Sequence, residues 1–189
     1  SGYDWSENYK SPFQPNAKAY YGDYLAEATL RRGMKQEPNT RFEYLSGNTQ
    51  LLGFAVRKAV GMPLAYYASE KLWKPLGMES DAYWSTDESK MEKTYCCVHA
   101  IPRDFAKLGQ LLLQNGNWNG RQLLSADFVA TMTTPTSLSK GAYGAGLWTN
   151  NDHPNKHFFF WGILGQYIIV IPEKQMVIVR TGSDENITT

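Results

Sequence analysis

The sequence predicts an α+β protein with helices first and antiparallel strands last. Three observations carry this. Apolar residues recur at helical spacing in several stretches between 17 and 132, most of them followed by Gly or Pro. After residue 142 the texture changes to short β-branched and aromatic runs. The run "QYIIVIPEKQMVIVRTG" (166–182) then reads as two strands joined at "PEKQ", a hairpin. The organisation expected is a mainly helical region over 1–141 and antiparallel strands over 142–189.

In chain order, 1–16 read as loop, with Gly2, Pro12 and Pro15. A helix is expected over 17–32, with Tyr20, Tyr24, Leu25 and Ala28 on one face and Gly33 as its stop. A stronger helix follows over about 48–60, where Leu51, Leu52, Ala55, Val56, Ala59 and Val60 keep helical spacing and Gly61 ends it. "MPLAYYASEKLWKPLGM" is a further helix with Pro63 in its first turn and Pro75 past its end. Residues 79–98 read as irregular. Asp104 is expected to cap the helix "DFAKLGQLLLQNG", and Ser125 the helix within 123–132. "AYGAGLWTN" (142–150) reads as a strand.

Composition excludes several function classes. Charged residues make up 20% and the net charge is +1, with no basic block, so neither nucleic acid nor an anionic membrane is an expected partner. No run of 18 apolar residues is present, so no transmembrane segment is expected. Cys96 and Cys97 are the only cysteines, and neighbours in sequence are poorly placed to pair, so no disulfide is expected. His99, His153 and His157 show no metal-ligand spacing; no metal and no cofactor are expected. The start "SGYDWSENY" has no Met and the end "SDENITT" follows a strand directly, so both ends are expected to be cut.

The chemistry centres on "RFEYLSGNTQLLG" (41–53). Taken alone, Tyr44 would pack beside the next helix and Ser46 or Asn48 would cap it. A phenol acts as a base only where nearby positive charge lowers its pKa from about 10. The surrounding order matters more than this one motif: "FEYLSGNTQLLG", "PLGM", "DFAKLGQLLLQNGNWNGRQLLS", "YGAGLW", then "GILGQYIIVIPEKQMVIV". That ordered set resembles the serine β-lactamase and penicillin-binding-protein (DD-peptidase) superfamily, in its class C-like branch of esterases and 6-aminohexanoate-oligomer hydrolases.

The resemblance implies a β-lactamase/transpeptidase-like fold of which this chain is a portion, and a three-part site. The first part is Ser-x-x-Lys on a helix, nucleophile and partner. The second is Tyr-x-Asn or Tyr-x-Ser, which Tyr44 and Ser46 match: Tyr44 as general base or proton relay, Ser46 as a hydrogen-bonding position. The third lies on a strand lining the cleft, as Lys-Thr-Gly or a looser variant; here "HFFFWGILGQY" stands there. His157, Trp161, Gly162, Gly165 and Gln166 are then the substrate-binding candidates, with a backbone N–H in this stretch as an oxyanion donor.

The one Ser-x-x-Lys match, Ser137 to Lys140, follows Pro135 and runs into "GAYGAG". One helical turn must stack the lysine over the serine, and a loop cannot supply it, so both read as surface polar residues. The nucleophile is therefore expected outside this chain, in a missing N-terminal part of the same protein. The reading is an amide- or ester-cleaving serine hydrolase working through an acyl-enzyme, inactive as this chain alone. A non-catalytic ligand-binding or sensor domain on the same fold is its rival, and a helix-plus-sheet interaction domain a blander one. β-Lactams, peptidoglycan peptides, esters and linear amides all suit such a site as small-molecule or peptide substrates. The resemblance favours the bacterial envelope or periplasm and also admits the cytoplasm.

Overall fold

A computed structural model describes residues 1–8 and 11–182; the strand region expected beyond 182 lies outside them. The chain divides into two compact units, Ser1–Lys71 with Ala82–His99, and Leu72–Asp81 with the residues from Ala100 on.

The first unit holds helices α1 (Pro15–Tyr21), α2 (Leu25–Thr29), α3 (Ser46–Val60) and α4 (Leu64–Ala68), and the two-residue strands β1 (Tyr83–Trp84) and β2 (Val98–His99). The single helix expected over 17–32 is two. Gly22 leaves helical geometry with ψ 166° while its N–H closes on the Lys18 carbonyl at 2.9 Å. A Cβ on Gly22 would stand 2.3 Å from that carbonyl oxygen, so only glycine fits the break. Leu25 and Ala28 enter the core as expected, but Tyr20 and Tyr24 stay exposed.

Helix α3 ends on Gly61 in the left-handed region, φ 68°. Its buried face differs from the apolar stripe. Leu52, Ala55 and Ala59 are exposed, whereas Ser46, Gly47, Gln50 and Gly53 are buried. Close approach explains the exchange: a Cβ on Gly47 would come within 2.6 Å of the Trp5 ring, and one on Gly53 within 2.4 Å of Thr94 Oγ1. Between them the Gln50 amide donates to the Glu92 carbonyl at 3.1 Å and accepts the Thr94 N–H at 3.0 Å. Helix α4 continues into a π-helical turn, Ser69–Trp73, within the helix expected there.

Cys96 and Cys97 are joined by a disulfide, against expectation. Cys97 adopts φ 74°, a left-handed conformation that turns the intervening peptide so that both sulfurs meet. The neighbourhood holds that turn: Trp84 Nε1–H donates to the Cys96 carbonyl at 3.1 Å and the Ser85 N–H to the Cys97 carbonyl at 3.0 Å.

The second unit contains α5 (Pro102–Leu113), a short β3–β4 hairpin (Asn117–Trp118, Arg121–Gln122), α6 (Ala126–Thr133) and an antiparallel sheet. The sheet runs in chain order: β5 (Trp148–Asn150), β6 (His157–Gly162), β7 (Gln166–Ile171) and β8 (Met176–Arg180). The 166–182 hairpin forms as expected, with Ile171 opposite Met176 and Gln175 left-handed at φ 50°. The strand expected over 142–150 shortens to Trp148–Asn150, because 142–149 folds back on itself through Gly144 N–H to Leu147 O and Thr149 N–H to Ala142 O, both 2.9 Å.

Alternation sorts the sheet's faces. Phe158, Ile168 and Val170 are buried, and Phe158 and Val170 share a core with Leu112 of α5, Val129 of α6 and Leu147. Gly109 lets α5 lie flat on the sheet; a Cβ there would meet Val177 Cγ1 at 2.6 Å. Ser125 caps α6 as expected, accepting the Phe128 N–H at 3.2 Å. Asp104 does not cap α5, which starts at Pro102 with Ile101 in the cap position. Fully buried, Asp104 instead accepts the N–H groups of Glu79 (2.7 Å) and Ser80 (3.1 Å), tying segment 72–81 to the helix.

Candidate active site

Tyr44 and Ser46 lie in the first unit, at the entry to α3. Leu45 is extended (φ −134°, ψ 118°) and buried in the core, and the helix starts at the next residue. Tyr44 keeps 44% of its surface exposed, whereas Ser46 keeps 7%. No side chain of α3 itself caps the helix: Leu45 holds the cap position, so neither Ser46 nor Asn48 plays the capping role.

A residue that the sequence did not single out takes over. The Glu7 carboxylate accepts both hydrogens of Ser46, the backbone N–H at Oε1 and the hydroxyl at Oε2, the latter at 3.0 Å. A carboxylate suits this place, because the first N–H groups of a helix lack partners and carry its positive end. The pairing spans 39 residues of sequence, beyond the reach of any local pattern. The only signal was an acid inside an aromatic loop.

The segment 1–8 is held against the start of α3 and against 29–36. Ser1 Oγ donates to Asn48 Oδ1 at 2.5 Å. Tyr3 and Trp5 stack at 5.8 Å between centroids, and both touch the place where a Gly47 side chain would be. Asp4 N–H reaches the Gly33 carbonyl at 3.0 Å and Lys35 N–H the Gly2 carbonyl at 2.8 Å. The Tyr3 hydroxyl donates to Thr29 O at 2.6 Å. Burial pushes the Tyr3 phenol pKa up, with Arg32 pulling down and Asp4 adding to the rise, so the net shift keeps it a neutral donor.

The other five candidates lie in the second unit, along β6, the turn Ile163–Gly165 and the start of β7. His157 opens β6 with Nδ1 against the Asn155 carbonyl at 2.7 Å and its ring beside Phe159. Trp161, half exposed, stacks on Tyr167 with 16° between planes and meets Trp148 edge-on. Gly162 pairs with Gln166 across the turn, and a Cβ on Gly162 would stand 2.9 Å from that of Gln166. The Gln166 amide clamps Gly182, donating to its carbonyl and accepting its N–H at 3.1 Å. Gly165 is left-handed at φ 81°, and its carbonyl accepts from Arg180. Leu164 is left-handed too, φ 58°, unusual for a branched apolar residue and a mark of a tightly specified turn. Trp161, Ile163 and Leu164 give this turn an exposed apolar surface.

Ser137–Ser139 form a single 3₁₀ turn and Lys140 is left-handed at φ 54°. Ser137 and Lys140 are exposed, and no α-helical turn stacks them. No helix among the described residues is long and apolar enough to cross a membrane.

Known proteins share this architecture. A 6-aminohexanoate-dimer hydrolase of Paenarthrobacter ureafaciens is 26% identical over 155 residues, covering 75% of this chain and 39% of that one. A Bacillus anthracis structure, described as a "putative 6-aminohexanoate-dimer hydrolase", superposes with TM-score 0.74 at 30% identity, over 92% of this chain and 44% of that one. A β-lactamase from Mycobacterium bovis shares the fold, with TM-score 0.61 at 20% identity over 78% of this chain and 58% of that one. The chain thus spans less than half the length of the two hydrolase relatives. The Beta-lactamase family model matches residues 1–185, and with the helices and the antiparallel sheet in place the chain belongs to that family.

Proposed function

We propose that this chain carries part of the site of a serine hydrolase that cleaves an amide or ester bond through an acyl-enzyme. The observation that carries the reading is Tyr44, an exposed phenol two residues before a buried serine anchored at a helix start. An ordinary core tyrosine would bury its ring, as Tyr3 does. In this reading the attacking serine and its lysine lie outside the chain, and the lysine ammonium favours the Tyr44 phenolate, the form that can accept a proton. Tyr44 takes the serine proton as the hydroxyl attacks the carbonyl, then returns it to the leaving group.

The test uses the full-length protein. A fluorophosphonate probe should modify one serine outside residues 1–189, located by mass spectrometry. Tyr44→Phe should then lower the acylation rate by about 10²–10⁴, the usual cost of losing a general base. Full activity in that variant would remove Tyr44 from the chemistry. A protein that takes no label and turns over no ester or amide would favour the ligand-binding reading.

A further inference from the structure

We propose that Glu7 is a positioning residue for this site: it commits the Ser46 hydroxyl proton and pins the backbone on which Tyr44 stands. This rests on the hydrolase reading above. A serine hydroxyl has one proton and two lone pairs, and a carboxylate only accepts. With Oε2 of Glu7 holding that proton at 3.0 Å, Ser46 can only accept from any further partner. That polarity suits a neighbour rich in donors, such as an ammonium beside the phenol, and rejects one that must accept. Oε1 meanwhile holds the Ser46 N–H, fixing the first residue of α3.

The segment that delivers Glu7 is built for the purpose. Residues 1, 3, 5 and 7 all meet α3 between 46 and 48: Ser1 at Asn48, Tyr3 and Trp5 over Gly47, Glu7 at Ser46. The segment turns as it does so, with Gly2 left-handed at φ 81° and the Trp5 N–H closing on the Tyr3 carbonyl at 3.0 Å. Tyr3 and Trp5 are buried and so fix its height on the helix. Tyr44 is two residues from the pinned position, so slack there would move the phenol.

Glu7→Gln separates the two roles. A glutamine oxygen can still accept the Ser46 N–H, but its amide then donates to Oγ, reversing the hydroxyl. In the full-length protein, with p-nitrophenyl butyrate as substrate, Glu7→Gln should lower kcat about tenfold while KM stays within about twofold. In a Ser46→Ala background the same change should alter kcat by less than about twofold, because no hydroxyl is left to reverse. An unchanged kcat in Glu7→Gln, or the same tenfold loss with Ala at 46, overturns the inference. Should the Gln variant fail to fold, Ser46→Ala alone decides: it keeps the N–H contact, and a wild-type kcat overturns the inference. Wild-type protein with no turnover and no fluorophosphonate label sinks the hydrolase reading and this inference together, whereas a labelled, active enzyme insensitive to Glu7→Gln sinks this inference alone.

Discussion

The two units bury different things. The first encloses Asn16, Thr29, Ser46, Gln50, Asp87 and Glu92 among its apolar residues. The second is closed by Leu111, Leu112, Val129, Leu147, Phe158, Ile168 and Val170, with Asp104, Ser139 and Thr149 as its buried polar residues. In the first, loops and short helices meet at carboxylates and amides that collect orphan N–H groups. Asp87 takes the Leu25 and Met91 N–H groups; Glu92 takes that of Ala65 and pairs with Arg57. In the second, the sheet satisfies its own backbone under apolar cover, and a buried carboxylate, Asp104, serves only the irregular segment beside it. Many helix starts and irregular connections call for buried acceptors; a meander does not.

The largest effect expected from this contrast is at Arg57. Its guanidinium lies 2.8 Å from Glu92 Oε2, and Glu92 is 2% exposed. Arg57→Met keeps most of the bulk and leaves a buried carboxylate without its counter-charge. Breaking such a pair costs about 3–5 kcal/mol, read as a lower urea midpoint. Hydrogen exchange should rise in α3, α4 and 82–99 before it rises in the sheet. The matching change in the second unit is Leu147→Ala at a fully buried position, expected to cost about 2–5 kcal/mol through lost contacts and a cavity, with exchange rising first in β5–β7. A near-silent Arg57→Met beside a costly Leu147→Ala would show that packing governs both units and would dissolve the contrast.

The same contrast explains what the sequence disclosed. Strands β7 and β8 were legible because β-branched runs flank the turn signal "PEKQ", a pattern visible in one dimension. The Ser125 cap was legible because it acts three residues away. In the first unit, the face of α3 was misjudged because Gln50 and Gly53 displaced Leu52 from the buried side, and their partners Glu92 and Thr94 lie about forty residues on. Asp104 looked like a cap for its own helix and proved to hold Glu79 and Ser80 instead. The Cys96–Cys97 bond depended on one left-handed residue that Trp84 and Ser85 support from across a hairpin. Of the site, Tyr44 and Ser46 could be named from an ordered set of motifs, whereas Glu7 required the fold. Polar contacts at long sequence separation leave no periodic trace, and these fill the first unit.

A pH series sharpens the contrast further at Asp87, with a smaller effect. Burial works to raise its carboxyl pKa, but the N–H groups of Leu25, Met91 and Ser89 and the Ser89 hydroxyl outweigh it and hold the value below the ordinary carboxylate range. A folded-state value depressed below the unfolded one means that the stabilisation is complete above the unfolded pKa of about 3.9. It is lost as pH falls through the lowered folded value. Asp87→Asn removes one charge-assisted acceptor from buried donors, which costs about 1–3 kcal/mol near neutrality. The difference in urea midpoint between wild type and Asp87→Asn should therefore be widest near pH 7 and shrink below about pH 4. A difference that widened on acidification would mean that the carboxylate is disfavoured where it sits, and that the first unit tolerates its buried charge instead of relying on it.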